Sequence, residues 1–193
     1  MNAVSPVDAG VHLEFLRRRN SAPKLTEPAP DAADVNAMLE CALRSPDHAR
    51  LRPWRFLSVR GERRYALGEL LLASLLRSNP DADEAARDKA RNAPLRAPLI
   101  MVVVASFREH PKVPAWEQRV SAGCTAFSLE LAAEALGYAS IWRTGAYAED
   151  PALVSALGGS DTEEIVGFLY IGTRDGEAKP LPEMNPGDFH REW

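Results

Sequence analysis

Residues 44–56 read RSPDHARLRPWRF and set Arg44, Arg50, Arg52 and Arg55 around one imidazole, His48. Such a cationic stretch between a helix and a strand can hold an anionic ligand. Arg44 and His48 are four apart, so a local helical turn would put both on one face. Pro46 and Pro53 bracket the segment, which rules out helix throughout. A second cluster, Arg17, Arg18, Arg19, Asn20 and Ser21, closes the first helical pattern. Two guanidiniums and a hydroxyl make a phosphate clamp, because arginine meets phosphate oxygens in pairs. A third group, Ile141, Trp142, Arg143, Thr144 and Gly145, offers an indole, a guanidinium and a hydroxyl at a strand end. Each has a plainer reading: a solvated loop, basic residues at a helix C-terminus, and a packed strand edge. Together around one α/β core, they suit a planar cofactor bearing a phosphate.

The elements that must position these groups follow from periodicity. Ser5, Pro6 and Asp8 read as a helix start, and Val7, Val11 and Phe15 recur every four residues to give its apolar face. Asp31 caps a second helix through Val35, Met38, Leu39 and Ala42, which runs into the arginine loop. Residues 55–60 read as a strand ended by Gly61, residues 62–76 as a Leu- and Ala-rich helix, and residues 82–93 as a polar covering helix. LIMVVVA at 99–105 is a continuous β-branched run, expected in the sheet centre and buried on both faces. Residues 115–137 form a long helix, small and apolar nearly all round, expected in the core or at a subunit interface. A strand at 138–144, a short helix at 151–157 and a buried strand at 164–172 follow. The tail, 173–193, carries three prolines and ends in Phe189 and Trp193, which are expected to dock on the domain or on a partner subunit.

At 193 residues, with 46% hydrophobic and 26% charged side chains, the chain suits a single domain, 1–193. A net charge of −4 speaks against nucleic acid as a partner and makes the arginine clusters sites rather than part of a basic surface. No apolar run approaches the ~18–20 residues of a membrane span, and no signal peptide is read at the start. Cys41 and Cys124 lie outside disulfide or metal spacings, which fits a cytoplasmic setting. The four histidines are scattered, so no metal is expected. G-x-G-x-x-G after a strand, the Walker loop and the G-x-S-x-G elbow are all missing. Cys124 within a small-residue helix reads as packing.

Arg-x-Ser at 19–21, EPAP at 27–30, RSPDHARLRPW at 44–54, KARNAPLRAPL at 89–99, KVPAWEQRVSAGC at 112–124, IWRTGA at 141–146 and EIVGFLYIGT at 164–173 stand in one chain. As a set they resemble the nitroreductase family of FMN-dependent oxidoreductases, from about residue 13 to about residue 172. The resemblance implies an α+β fold, with a mainly antiparallel central sheet flanked by helices, and an intertwined homodimer with two FMN sites at its interface. It implies that Arg19 and Ser21, with Arg18 adjacent, hold the FMN phosphate. The family usually has two arginines directly before the serine. Here Asn20 intervenes, so either Arg18 or Asn20 takes the second place. Residues matching Arg44 and His48 reach the FMN of the other subunit, and Trp142, Arg143 and Thr144 match the segment beside the isoalloxazine and phosphate. The implied reaction is ping-pong: NAD(P)H gives hydride to the flavin, then a nitroaromatic, quinone or similar small electron acceptor takes two electrons. The flavin carries the chemistry, so no catalytic side chain is named. Arg19 or Arg143 would stabilise the reduced anion. A different flavin role (carrier, flavin-fragmenting or dehalogenating) and a non-enzymatic phosphate-binding protein are the alternatives.

Overall fold

The structure, a computed structural model, describes residues 6–193; Ser5, the expected first cap, lies outside them. In chain order the elements are α1 (Pro6–Arg17), β1 (Leu25–Thr26), α2 (Ala32–Ala42), β2 (Trp54–Arg60), α3 (Arg63–Ser78), α4 (Glu84–Asn92), β3 (Leu99–Ser106), α5 (Ala115–Ala135), β4 (Ala139–Arg143), α6 (Pro151–Ala156) and β5 (Glu163–Arg174). The strand order is β1-β5-β3-β2, with β4 also paired to β5, and every pairing is antiparallel. This is the α+β arrangement expected.

β3 explains the layering. Its residues from Leu99 to Ala105 are all buried, as its unbroken apolar run requires. Alternation sends Ile100, Val102 and Val104 to one face, where they meet Leu67 and Leu71 of α3. Leu99, Met101 and Val103 turn to the other face, against Met38 of α2 and Ala126, Leu129 and Ala133 of α5. Burying each such side chain is worth about 1.5–3 kcal/mol, so this strand anchors both layers. α4 packs on α3 at Gly68, where an added Cβ would run into the Arg91 carbonyl; only glycine allows that approach.

One expectation is corrected. Arg44 and His48 do not share a helical turn. α2 has ended, and Asp47 is extended (φ −145°, ψ 103°) before a short 3-10 turn at His48–Arg50. The polypeptide then enters the left-handed region at Ala49 (φ 62°), Arg50 (φ 56°) and Arg52 (φ 50°). The Asp47 carboxylate holds this shape by accepting from the Leu51 and Arg52 amides at 3.1 and 2.8 Å. α5, expected in the core or at a subunit interface, leaves one side open in the single chain. Trp116, Val120 and Phe127 lie on one side at 61, 59 and 44% exposure. In the tail, residues 175–193 are exposed in the single chain, Phe189 and Trp193 included.

Candidate functional site

β4 is the element around which the site is built. It pairs with β5 along one edge only, and beside its other edge runs the segment that follows α1, joined by the Ala22 amide donating to the Ser140 carbonyl at 2.8 Å. Strand alternation divides its side chains. Ser140 and Trp142 face α5, whereas Ile141 and Arg143 face the α3–α4 layer. Leu169 is the register partner of Trp142, and the indole needs Gly167 nearby, because a Cβ there would collide with the indole nitrogen. The indole N–H points to the Val166 carbonyl at 3.4 Å.

At the start of β4 a cavity of about 650 Å³ is lined by Arg18, Arg19, Asn20, Ser140, Arg174 and Lys179. Arg19 Nη1 donates to Ser21 Oγ at 3.3 Å, so the expected clamp pair is together. Arg18 is engaged with Glu134 at 3.0 Å, and Asn20 donates to the Lys179 carbonyl at 2.5 Å. Arg174, from the end of β5, donates to the Asn20 carbonyl at 3.0 Å. The further cations here are therefore Arg174 and Lys179, neither of which was expected from the sequence. The only signal for Arg174 is its place just past the last buried strand. Behind Arg19 sits Glu130 of α5, only 5% exposed, which accepts from Ser140 Oγ at 3.0 Å and from the Trp142 amide. Burial pushes its carboxyl above the usual range, while Ser140, the Arg19 charge and the Trp142 N–H oppose the shift.

At the far end of β4, about 10 Å away at ~3.3 Å per residue from 140 to 143, lies a second cavity of about 550 Å³. Lys89, Asn92, Arg96, Arg143, Thr144 and Tyr147 line it, with Phe168 and Tyr170 as aromatic walls. The Arg143 guanidinium stands 5.4 Å from the Tyr170 ring centre, and its Nε is buried without a partner. Desolvation, and then repulsion from Arg96, lower its pKa. A buried donor so placed asks for an acceptor. Arg96 also donates to the Pro23 carbonyl at 3.3 Å, so the segment carrying Arg19 and Ser21 reaches both cavities. Arg143 is thus not beside Arg19: one strand presents the two ends of the site from opposite faces.

Arg44 and His48 are elsewhere. His48 Nδ1 lies 2.9 Å from Glu117, at the N-terminal end of α5, whereas Arg19 and Arg18 sit beside Glu130 and Glu134, near its C-terminal end. Thirteen residues at 1.5 Å each put His48 about 20 Å along the helix from the Glu130 beside Arg19, whereas Ser45, next to Arg44, meets Ser128 Oγ further along α5 at 3.2 Å. Arg55 is taken up by a two-pronged pair with Glu163, at 3.1 and 2.7 Å, and serves the sheet. Cys41 and Cys124 are free. Among the described residues no cluster of His, Cys, Asp and Glu could hold a metal, and no helix is long and apolar enough to cross a membrane.

The sequence profile of the nitroreductase family matches residues 16–173. The chain belongs to the nitroreductase family. The YdjA protein of Escherichia coli (strain K12), assigned as an NAD(P)H nitroreductase, is 45% identical over 161 residues, covering 83% of this chain and 87% of its own. A nitroreductase-like family protein from Bacillus cereus superposes with a TM-score of 0.80 at 20% identity, over 100% of this chain and 98% of that one. A Bacteroides fragilis nitroreductase crystallised with bound FMN gives 0.74 at 22% identity, over 94% and 98%. All the segments quoted for the resemblance fall within the matched residues of this nitroreductase chain.

Proposed function

We propose that this nitroreductase-family chain is an FMN-dependent oxidoreductase that takes hydride from NAD(P)H and passes two electrons to nitroaromatic, quinone or similar acceptors. The observation that carries the reading is the pair of cationic cavities at the two ends of β4. One has Arg19, braced by Ser21 Oγ, with Arg174 and Lys179 for a phosphate. The other has the orphaned Arg143 Nε, with Arg96 and Lys89, for the polar edge of a ring. A ribityl chain covers the span between them. The residues therefore fit FMN, which supplies two-electron chemistry when bound. Arg19 and Ser21 would hold its phosphate and Thr144 would line the place of its ring, whereas Trp142, which packs towards α5, lines neither cavity. Of the two cations expected to face developing negative charge, Arg143 is the better placed, because Arg19 already faces Ser21 and Glu130.

In this reading Arg44 and His48 complete the site of a partner subunit: one chain holds its own His48 about 20 Å along α5 from the Glu130 beside Arg19. The apolar stripe of Trp116, Val120 and Phe127 is suited to an obligate interface. Donor and acceptor use the same open face in turn, and the free cysteines suit a cytoplasmic setting. A visible spectrum of the purified protein, followed by anaerobic addition of NADH or NADPH, tests the reading. Flavin absorption that bleaches with reductant is expected. A colourless protein that binds no added FMN would sink it, and a flavin that neither nucleotide bleaches would leave a different flavin role.

A further inference from the structure

The loop between α2 and β2 carries a cavity of which the flavin reading uses Arg44 alone. It encloses about 660 Å³ and is lined by Arg44, Arg50, Arg52, Asp47, Trp54 and Leu43, with Ser45 at its base. The ion pairs of the described residues engage Arg18, Arg55, Arg77, Arg91 and Arg119, and none of the three arginines here. The one acid, Asp47, already accepts from the Leu51 and Arg52 amides. Three guanidiniums against one carboxylate leave this concave site net positive, which suits a densely charged anion that arginine grips in pairs. Half-buried Trp54 adds an aromatic plane beside them.

The backbone gives an independent sign. Ala49, Arg50 and Arg52 are all left-handed, a conformation that L residues enter at a cost and that persists only where the surroundings impose it. Here the Asp47 carboxylate imposes it. The result is that Arg50 and Arg52 both line the cavity that an extended loop would not form.

We propose that this cavity binds the adenosine 2′-phosphate of NADPH through Arg50 and Arg52, with Trp54 beside the adenine, and so selects NADPH over NADH. The proposal rests on the flavin reading, which sets His48 and Arg44 of this same loop at the partner's flavin. A dinucleotide whose nicotinamide reaches that flavin then trails its far end across the loop. NADH and NADPH differ only in the 2′-phosphate, so a site for that group discriminates between them by charge.

The test uses the flavin-loaded protein and the double variant Arg50→Gln, Arg52→Gln. Adenosine 2′,5′-bisphosphate, titrated by calorimetry, should bind wild type at least 10-fold tighter than 5′-AMP does, and the variant should lose that preference. In turnover, kcat/KM for NADPH should fall about 10- to 100-fold while that for NADH holds, the scale of losing charge-assisted bonds. Arg50→Lys, Arg52→Lys should recover part of the loss, and retained NADH turnover shows that the fold is intact. Equal losses for both nucleotides would overturn the assignment. So would wild type failing to distinguish the bisphosphate from 5′-AMP, or a drop in FMN affinity in the Gln variant, which would give these arginines to the flavin. If neither nucleotide reduces the protein, the flavin reading fails, and the bisphosphate titration still decides whether the cavity takes a 2′-phosphate.

Discussion

Arg19 and Arg143 carry the charges expected at the two ends of the cofactor, and they differ in how they are held. Arg19 is propped by Ser21 and backed by Glu130, whereas Arg143 has a buried Nε with nothing to receive its proton. Removing the first, as Arg19→Ala, should weaken FMN binding by about 1.5–3 kcal/mol. Riboflavin, which lacks the phosphate, should bind the wild type far more weakly than FMN; a titration showing unchanged FMN affinity in the variant would remove Arg19 from the clamp. Glu130 makes a prediction in pH. Its carboxyl is held above the ordinary range chiefly by burial, so the native chain keeps that proton more tightly than the unfolded chain does. Stability is then lost as pH rises from the ordinary carboxylate value through the raised native one. Glu130→Gln, which cannot ionise, should lose less over that interval, and Tm curves of variant and wild type running parallel with pH would refute this. Arg19 and Ser21 were legible in the sequence because an arginine and a hydroxyl at a helix end have a local meaning. Arg174 and Lys179 were not, because a lone cation beyond a strand has no spacing to read. Glu130 was hidden for a different reason: its burial depends on Ser140 and Trp142, which come into reach only when α5 and β4 fold together.

Among the elements, β3 could be read almost completely, since an unbroken β-branched run is explained only by burial on both faces, and both clusters of core residues confirm it. β4 was legible as a strand, yet the face of each residue was not, because IWR has no alternation to reveal it. That is why Trp142, Arg143 and Thr144 were expected as one group while the structure parts the first two. α5 was read as a helix for the core or an interface, but small residues dominate its composition and mask the larger ones at 116, 120 and 127, open in the single chain. The α2–β2 loop was read as cationic, but nothing in its composition signals the left-handed turn that Asp47 enforces. At this scale Gly167→Ala is the informative change. The added methyl meets both the Trp142 indole and the Arg143 carbonyl, so it should displace β4 from β5. We expect shifted tryptophan fluorescence together with weaker FMN binding; unaltered fluorescence with normal FMN affinity would mean the strand absorbs the methyl elsewhere.

For the molecule as a whole, the length of α5 sets the terms. If each site takes Arg19, Ser21 and Arg143 from one chain and Arg44 and His48 from the other, a mixed dimer decides it. Pairing an Arg19→Ala subunit with an Arg44→Ala, His48→Ala subunit puts all the damage in one site and leaves the other whole. One FMN should bind tightly per dimer; two equally weakened sites would show that each is built within a single chain. Turnover speaks to the same architecture. One open face used by donor and acceptor in turn predicts parallel initial-rate lines against NAD(P)H at several acceptor concentrations, and intersecting lines would require a separate place for the second substrate. The exposed tail and the α5 stripe were both read from sequence as material for contact, and in the single chain both stand open.

The division of labour along β4 also bears on which length changes the chain can accept. Successive residues of a strand point to opposite faces, so one residue inserted in the turn between α5 and β4 would exchange every assignment downstream. The indole would be driven towards Lys89 and Arg96, and the guanidinium into the apolar layer under α5. A substitution in that turn changes one contact, whereas an insertion inverts the whole cradle. Residues 136–138 should therefore hold their number, and Gly137, at φ 87°, its identity as well.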